Sequence, residues 1–150
     1  MPYGERLEVL PESSVRERKF VEKLAKYFKK EMQFDFPQFQ ASETKEHTWH
    51  VPYSAWLFYE TACDRIEEDK ETPSRIYGAC CFRWREYDDD PASWELDWLW
   101  LHPYFRGKGY LAKHWGFLRN KFAPFYISQP ASPSMNRFLQ KHNEDEIKIT

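Results

Sequence analysis

The sequence predicts a mixed α/β sheet, mostly antiparallel, with one parallel strand–helix–strand crossover. Three observations predict it. Strand-like runs at 54–61, 75–87 and 94–102 are separated by two short links, around 61–75 and 88–93, which favours antiparallel hairpins. A helix-like run after Gly109 leads into the strand-like "FYIS" (125–128), which favours a parallel crossover. The 150 residues are 41% hydrophobic and 19% aromatic, enough to pack the core of one domain spanning 1–150.

In chain order, "RLEVL" (6–10) alternates like a short strand. Ser14-x-x-Glu17 makes a capping box. Phe20, Val21, Leu24, Phe28 and Met32 recur at helical spacing, so a helix is expected over 14–32. Its other face carries Arg16, Lys19, Lys23, Lys26 and Lys30, which reads as a solvated face or as a stripe that steers an acidic partner. Residues 34–52 hold two prolines and several aromatics without a clean period, the pattern of a loop or a pocket cap. "RIYGACCFRWREY" (75–87) has a nearly continuous apolar centre and belongs in the middle of a sheet. In "WELDWLWLH" (94–102) a period of two places Trp94, Leu96, Trp98 and Trp100 on one face. Glu95, Asp97, Leu99 and Leu101 fall on the other. After the glycines, Leu111, Trp115, Leu118 and Phe122 share one side of a helix. Ser132-Pro133 marks a helix start, an N-cap with proline at the first position, and that helix covers 133–142. "EIKIT" ends the sequence as a last short strand.

Charge and composition exclude several classes. With 22 basic and 24 acidic residues the net charge is -2, which does not fit a nucleic-acid or membrane-surface protein. Cys63, Cys80 and Cys81 cannot build a disulfide framework and read as reduced, buried thiols of a cytoplasmic protein. No stretch approaches the ~18 apolar residues of a membrane span, and "MPYGERLEVLPESS" has no signal-peptide core. His47 and His50 flank Trp49, but no cysteine or carboxylate pattern completes a metal site, so no metal is expected. His102 and His114 are expected at the surface or at a pocket rim.

Arg106-Gly107-Lys108-Gly109 sits between a strand and a helix. The first amides of a helix have no partner inside it, and the helix dipole favours an anion beyond them. Glycines leave that backbone bare, and the two cations add charge. A phosphate site and an ordinary solvated turn both fit. The P-loop pattern fails because Gly109 stands where Ser or Thr is required, and the dinucleotide pattern fails at Ala112.

"LWLHPYFRGKGYLAKHW" resembles the core motif of the GCN5-related N-acetyltransferase (GNAT) superfamily. Leu101-His102-Pro103 stands for the V-x-P end of the motif strand. Tyr104 to Gly109 stands for [QR]-x-x-G-x-[GA], with Tyr104 in place of Gln or Arg. The order of elements agrees, and "SPSMNRFLQKH" (132–142) resembles the family's last helix; the likeness is strongest over 54–142. The resemblance implies a GNAT-like acyl-CoA N-acyltransferase fold with helices on both faces of the sheet. It implies acetyl-CoA as acyl donor, its phosphates on the amides of Phe105, Arg106, Gly107, Lys108, Gly109, Tyr110 and Leu111. It implies a pantetheine arm along Leu99, Trp100 and Leu101, with an amide near Leu101 polarising the thioester carbonyl. Ser132 takes the place of a CoA-contacting asparagine.

Acyl transfer to an amine needs a base. The resemblance puts it at Glu95, with Asp97 the second choice; the alternative is that both pair with Arg83 or Arg85 of the neighbouring strand. Tyr126 is a candidate acid or a core aromatic, because Leu139 occupies the position of the tyrosine that many members use. Cys80 or Cys81 as an acyl-accepting nucleophile is weighed against simple packing. The expected function is acetyl transfer to a primary amine, on a small molecule or a peptide, by direct attack in a ternary complex. The alternative is a non-catalytic acyl-CoA-binding or interaction module. Aromatics of 34–59 line an acceptor pocket or fill the core. The sequence ends near where the family's final strands are usual, so an open sheet edge covered in a homodimer is expected.

Overall fold

Local chemistry sets the ends of the elements. The Ser14 hydroxyl accepts the Glu17 amide at 3.2 Å and starts α1 (Val15–Met32). Gln33, with φ 59°, ends it by turning its amide back to the Lys29 and Lys30 carbonyls. The Ser132 hydroxyl accepts the Met135 amide at 3.1 Å and starts α3 (Pro133–His142), with Pro133 at its first position. The computed structural model describes residues 5–41, 52–61, 74–86, 91–128, 132–142 and 148–149. Cys63, the His47–His50 group, the acidic turn after Thr61 and residues 88–90 of the 88–93 link lie outside these residues. The remaining elements are β1 (Glu5–Val9), β2 (Tyr53–Thr61), β3 (Ser74–Arg85), β4 (Ser93–Leu101), α2 (Tyr110–Phe122), β5 (Phe125–Ile127) and β6 (Lys148–Ile149).

The sheet runs β1-β2-β3-β4-β5-β6. Pairing is antiparallel from β1 to β4 and parallel at β4–β5 and β5–β6. The expected crossover through α2 is present. The terminal strand adds a second parallel pair, with α3 as its crossover. Helices cover both faces. On one, Val21, Leu24, Ala25 and Phe28 of α1 pack on Val9, Tyr53, Leu57, Ala79, Cys81, Trp98 and Trp100. On the other, Leu111, Trp115, Leu118 and Phe122 of α2 and Met135 of α3 pack on Phe58, Tyr77, Cys80, Phe82, Leu96, Leu99 and Leu101. Cys80 and Cys81 are fully buried thiols, in no disulfide, that enter opposite cores. Burial pushes the Cys80 thiol well above its ordinary range, which suits packing better than nucleophilic chemistry.

The strict alternation expected for β4 does not hold. Cys81 pairs with Trp98 and Phe82 with Leu96, so the register passes over Asp97. This bulge exchanges the faces. Leu96 joins Leu99 and Leu101 under α2, and Trp94 packs there too, whereas Trp98 and Trp100 lie under α1.

His114 is not at a rim. It is 1% exposed, stacked on Phe58 with ring centroids 4.2 Å apart. Its Nδ1 accepts from Arg6 Nε at 3.2 Å. That bond leaves the ring proton on Nε2, 2.7 Å from the Tyr77 hydroxyl. Burial, then the Arg6 and Lys113 charges, push His114 down to about 4.

Two outcomes follow from this packing. A Cβ on Gly78 would stand 2.8 Å from the Trp100 carbonyl oxygen and 2.8 Å from Leu101 Cδ2. The Gly78→Ala variant should therefore lose roughly 1–3 kcal/mol of stability, as overpacked cores do, read by urea unfolding. The second concerns pH. Above about 6.5, the ordinary histidine value, His114 is neutral folded or unfolded and stability is complete. Between 6.5 and about 4 the unfolded chain binds a proton that the folded chain refuses, so stability falls with pH, by of order 3 kcal/mol once below 4. Unfolding midpoints at pH 7 and 4.5 should differ less in His114→Gln than in the parent.

Candidate active site

The glycine turn begins where β4 ends. The His102 amide donates to the Tyr77 carbonyl at 2.7 Å, toward β3. By antiparallel alternation the backbone groups of Leu99 and Leu101 face the opposite edge. Pro103–Phe105 form a 3₁₀ turn, and Phe105 stacks on Tyr77 at 4.6 Å. Gly107 and Gly109 then adopt φ of 72° and 88°, a conformation that favours glycine. Apart from the adjoining residues, no heavy atom lies within 4 Å of where a Cβ would stand on either residue. Gly109 is the N-cap of α2 and supplies no side-chain acceptor, so the first amides of α2 open onto this bare side.

The other edge of β4 is open as well. β4 pairs with β5 over three residues, Trp94–Leu96 with Phe125–Ile127. One further bond runs from the Ser128 amide to the Leu96 carbonyl, 3.0 Å. Beyond it, among the described residues, β4 pairs with β3 alone. A groove of about 400 Å³ follows that edge, bounded by β4, the turn and α3.

Leu99, Trp100, Leu101, Arg106, Gly107, Gly109, Leu111 and Ser132, all expected near the cofactor, line this groove. Phe105, Lys108 and Tyr110 do not. Tyr110 sets its ring edge-on to Tyr77 at 5.2 Å, and the Lys108 ammonium lies 3.4 Å from the Tyr104 ring centroid. The Arg106 side chain also turns from the glycines: its Nε donates to the Leu101 carbonyl at 2.8 Å. Sequence reasoning missed one wall. Ser134, Arg137, Phe138 and Lys141 of α3 line the groove, and their spacing of three and four marks one helical face. Leu139 is partly buried and packs against the α2-side core.

A second cavity of about 20 Å³ lies at the fork between β4 and β5, lined by Asp97, Ile127 and Ser128 and sharing Leu99 and Ser132 with the groove. Of the three predicted catalytic residues Asp97 lines this cavity, whereas Glu95 and Tyr126 line neither it nor the groove and pair with one another just before the fork. Tyr126 is the register partner of Glu95, and the Ser128 hydroxyl donates to Glu95. Arg85 reaches Glu95 at 3.8 Å and Asp97 at 3.2 Å; Arg83 reaches Asp97 at 3.3 Å. Both carboxylates thus carry the arginine pairing that the sequence left as the alternative. They do not share a face with Leu99 and Leu101, as the period of two implies, because the bulge intervenes. Arg83 lies over the Phe39 and Tyr53 rings of the α1-side core, and Asp97 reaches into that side. Among the described residues no group of three or more His, Cys, Asp or Glu side chains can hold a metal ion.

No protein-family model matches the chain, and no curated protein matches it. Among solved structures it is similar to a ribosomal-protein-alanine N-acetyltransferase from Brucella melitensis biovar Abortus 2308. The identity is 13%, the coverage 95% of this chain and 91% of that one, and the TM-score 0.58. That likeness speaks for the fold. On that likeness the chain has a fold like that of the GCN5-related N-acetyltransferases.

Proposed function

We propose that this protein is an N-acetyltransferase, moving acetyl from acetyl-CoA to a primary amine of a small molecule or peptide by direct attack in a ternary complex. The observation that carries the reading is the continuity of the groove. The groove lies between bare helix-terminal amides and the unpaired edge of β4, and it shares Leu99 and Ser132 with a fork lined by Asp97, two residues after Glu95. The residues present fit the donor. The turn amides and the Arg137 and Lys141 side chains suit its phosphates, and the Leu99 and Leu101 backbone suits an extended amide-bearing arm. The bound thioester supplies an electrophilic acyl carbon. This chain supplies the rest: a backbone donor near Leu101 for the carbonyl oxygen, and Glu95 to take the proton that the attacking nitrogen loses, directly or through water. As the carbon–nitrogen bond forms the carbon–sulfur bond would break, and Tyr126, the candidate acid, would return a proton to the leaving sulfur; Asp97 is the second choice of base.

A second reading, a non-catalytic acyl-CoA-binding or interaction module, draws on one observation: Glu95 and Asp97 are tied to Arg83 and Arg85. Binding of acetyl-CoA fits both readings, and turnover with an amine panel fits only the first. The proposed partner is the amine, not nucleic acid or a membrane surface. The balanced charge supports this, and no described helix is long and apolar enough to cross a membrane. A cytoplasmic location is proposed because Cys80 and Cys81 are reduced thiols.

Leucine at Gly107 or Gly109, or Glu at position 108, should each weaken acetyl-CoA binding by about 1–3 kcal/mol, the scale of charge-assisted hydrogen bonds. Calorimetry that finds affinity unchanged in all three rejects the phosphate site. In Glu95→Gln, kcat should fall by about 10²–10⁴ while acetyl-CoA affinity holds, the mark of a lost general base. Full activity at neutral pH removes Glu95 from the mechanism.

A homodimer across an outer strand belongs to the same proposal. Its support is the position of β1 and the two-residue β6 at the sheet margins. Light scattering should report twice the chain mass; a monomer at high micromolar concentration rejects it.

A further inference from the structure

Arg106 is the cation that the glycine motif sets beside the phosphate turn, yet its guanidinium is engaged elsewhere. Nε donates to the Leu101 carbonyl at 2.8 Å, Nη2 to Glu31 Oε1 at 2.6 Å and Nη1 to Glu31 Oε2 at 3.2 Å. This is the two-pronged geometry in which a planar guanidinium and a carboxylate hold one another in place. Glu31 Oε1 also accepts the Trp100 indole N–H at 3.0 Å. A carboxylate near the end of α1 thus gathers three bonds from two groove-lining residues, 69 and 75 positions away.

We infer that Glu31 positions the groove wall and the glycine turn, with Arg106 acting as the brace between them and not as a phosphate ligand. The inference deepens the acetyl-CoA reading and rests on it for its binding consequence. Gly107 and Gly109 impose the shape of the turn, but glycine backbones are also the freest, and nothing beyond the adjoining residues stands within 4 Å of their missing Cβ positions. Arg106 adjoins Gly107 and ties this stretch to both the end of β4 and α1. Ordering the turn before the ligand arrives removes an entropic cost from binding.

The inference has a sign of its own. Glu31 is an anion close to a site for anions. Coulomb repulsion alone makes its removal strengthen phosphate binding, or leaves it unchanged where salt screens the charge. The brace makes removal weaken binding. Glu31→Gln keeps size and removes the charge; Arg106→Lys keeps charge and removes the fork. Each should weaken binding of CoA and acetyl-CoA by calorimetry about tenfold, one charge-assisted contact's worth. The double variant should be little worse than either single one, because one contact is lost in all three. In the ligand-free protein, amide order parameters of Gly107 and Gly109 from ¹⁵N relaxation should fall in both variants.

The Arg106 and Glu31 side chains are 24% and 30% exposed, so the fold should survive these changes. Should Glu31→Gln not fold, Arg106→Lys carries both measurements. Unchanged or tighter binding in the folded variants overturns the inference, as does undiminished order at Gly107 and Gly109. A parent protein that binds neither CoA nor acetyl-CoA overturns the proposed function instead. The relaxation measurement then decides the brace by itself.

Discussion

The pairing of β3 with β4 passes over Asp97, and the site is built around that extra residue. An unmatched residue bends its strand and increases the local twist. Here the bend falls one residue after Leu96, the last β4 residue paired with β5. Before it, β4 is an interior strand with neighbours on both sides. After it, β4 keeps β3 and turns its other edge to a groove. The same step moves Trp98 and Trp100 to the α1 side while Leu99 and Leu101 stay under α2. One bulge therefore creates the open edge and assigns the groove's side chains to their two supporting cores.

Polar groups collect at the fork because the bulge lies between those cores. Asp97 and Glu95 have side chains 14% and 13% exposed, and carboxylates so enclosed need partners. Arg83, 7% exposed in its side chain, binds Asp97 and also donates to the Gln38 carbonyl at 3.2 Å. It links the bulge to the segment after α1. Arg18, buried and hydrogen-bonded to the Ala41 carbonyl, secures that segment from below. Removing one member of such a set would strand a buried charge, so the arrangement fixes one geometry whatever it adds to net stability.

Much of this was legible in the sequence, for reasons that are local. Ser14 and Ser132-Pro133 announce helix starts because capping needs only adjacent residues. The glycine turn announces itself because its two positive φ values call for glycine. The faces of β4 were misread because "DWLWL" is apolar at four successive positions, so no polar contrast marks where the alternation slips. His114 was misplaced although its spacing was informative. With Leu111, Trp115 and Leu118 it completes one helical stripe, and its polarity outweighed its position. The Arg6 and Tyr77 bonds that make such burial tolerable come from 108 and 37 residues away, and no local pattern carries them. The α3 wall shows the converse: the spacing of Ser134, Arg137, Phe138 and Lys141 marks one helical face, but nothing local says that this face meets the glycine turn.

A turn that receives a charged ligand has conflicting requirements. It must leave backbone amides bare, which takes glycines and excludes covering side chains. It must also hold those amides still, which glycines do not do by themselves. Here the two are separated in space. The bare side is Gly107, Gly109 and the start of α2. Rigidity comes from the flanks: Phe105 and Tyr110 pack on Tyr77 from below, the His102 amide bonds to the Tyr77 carbonyl, and Arg106 is gripped by Glu31 and Leu101. Tyr77 is itself held by His114, whose tautomer Arg6 selects. The polar burial under the turn and the ion pair beside it thus solve one problem from two sides of the turn.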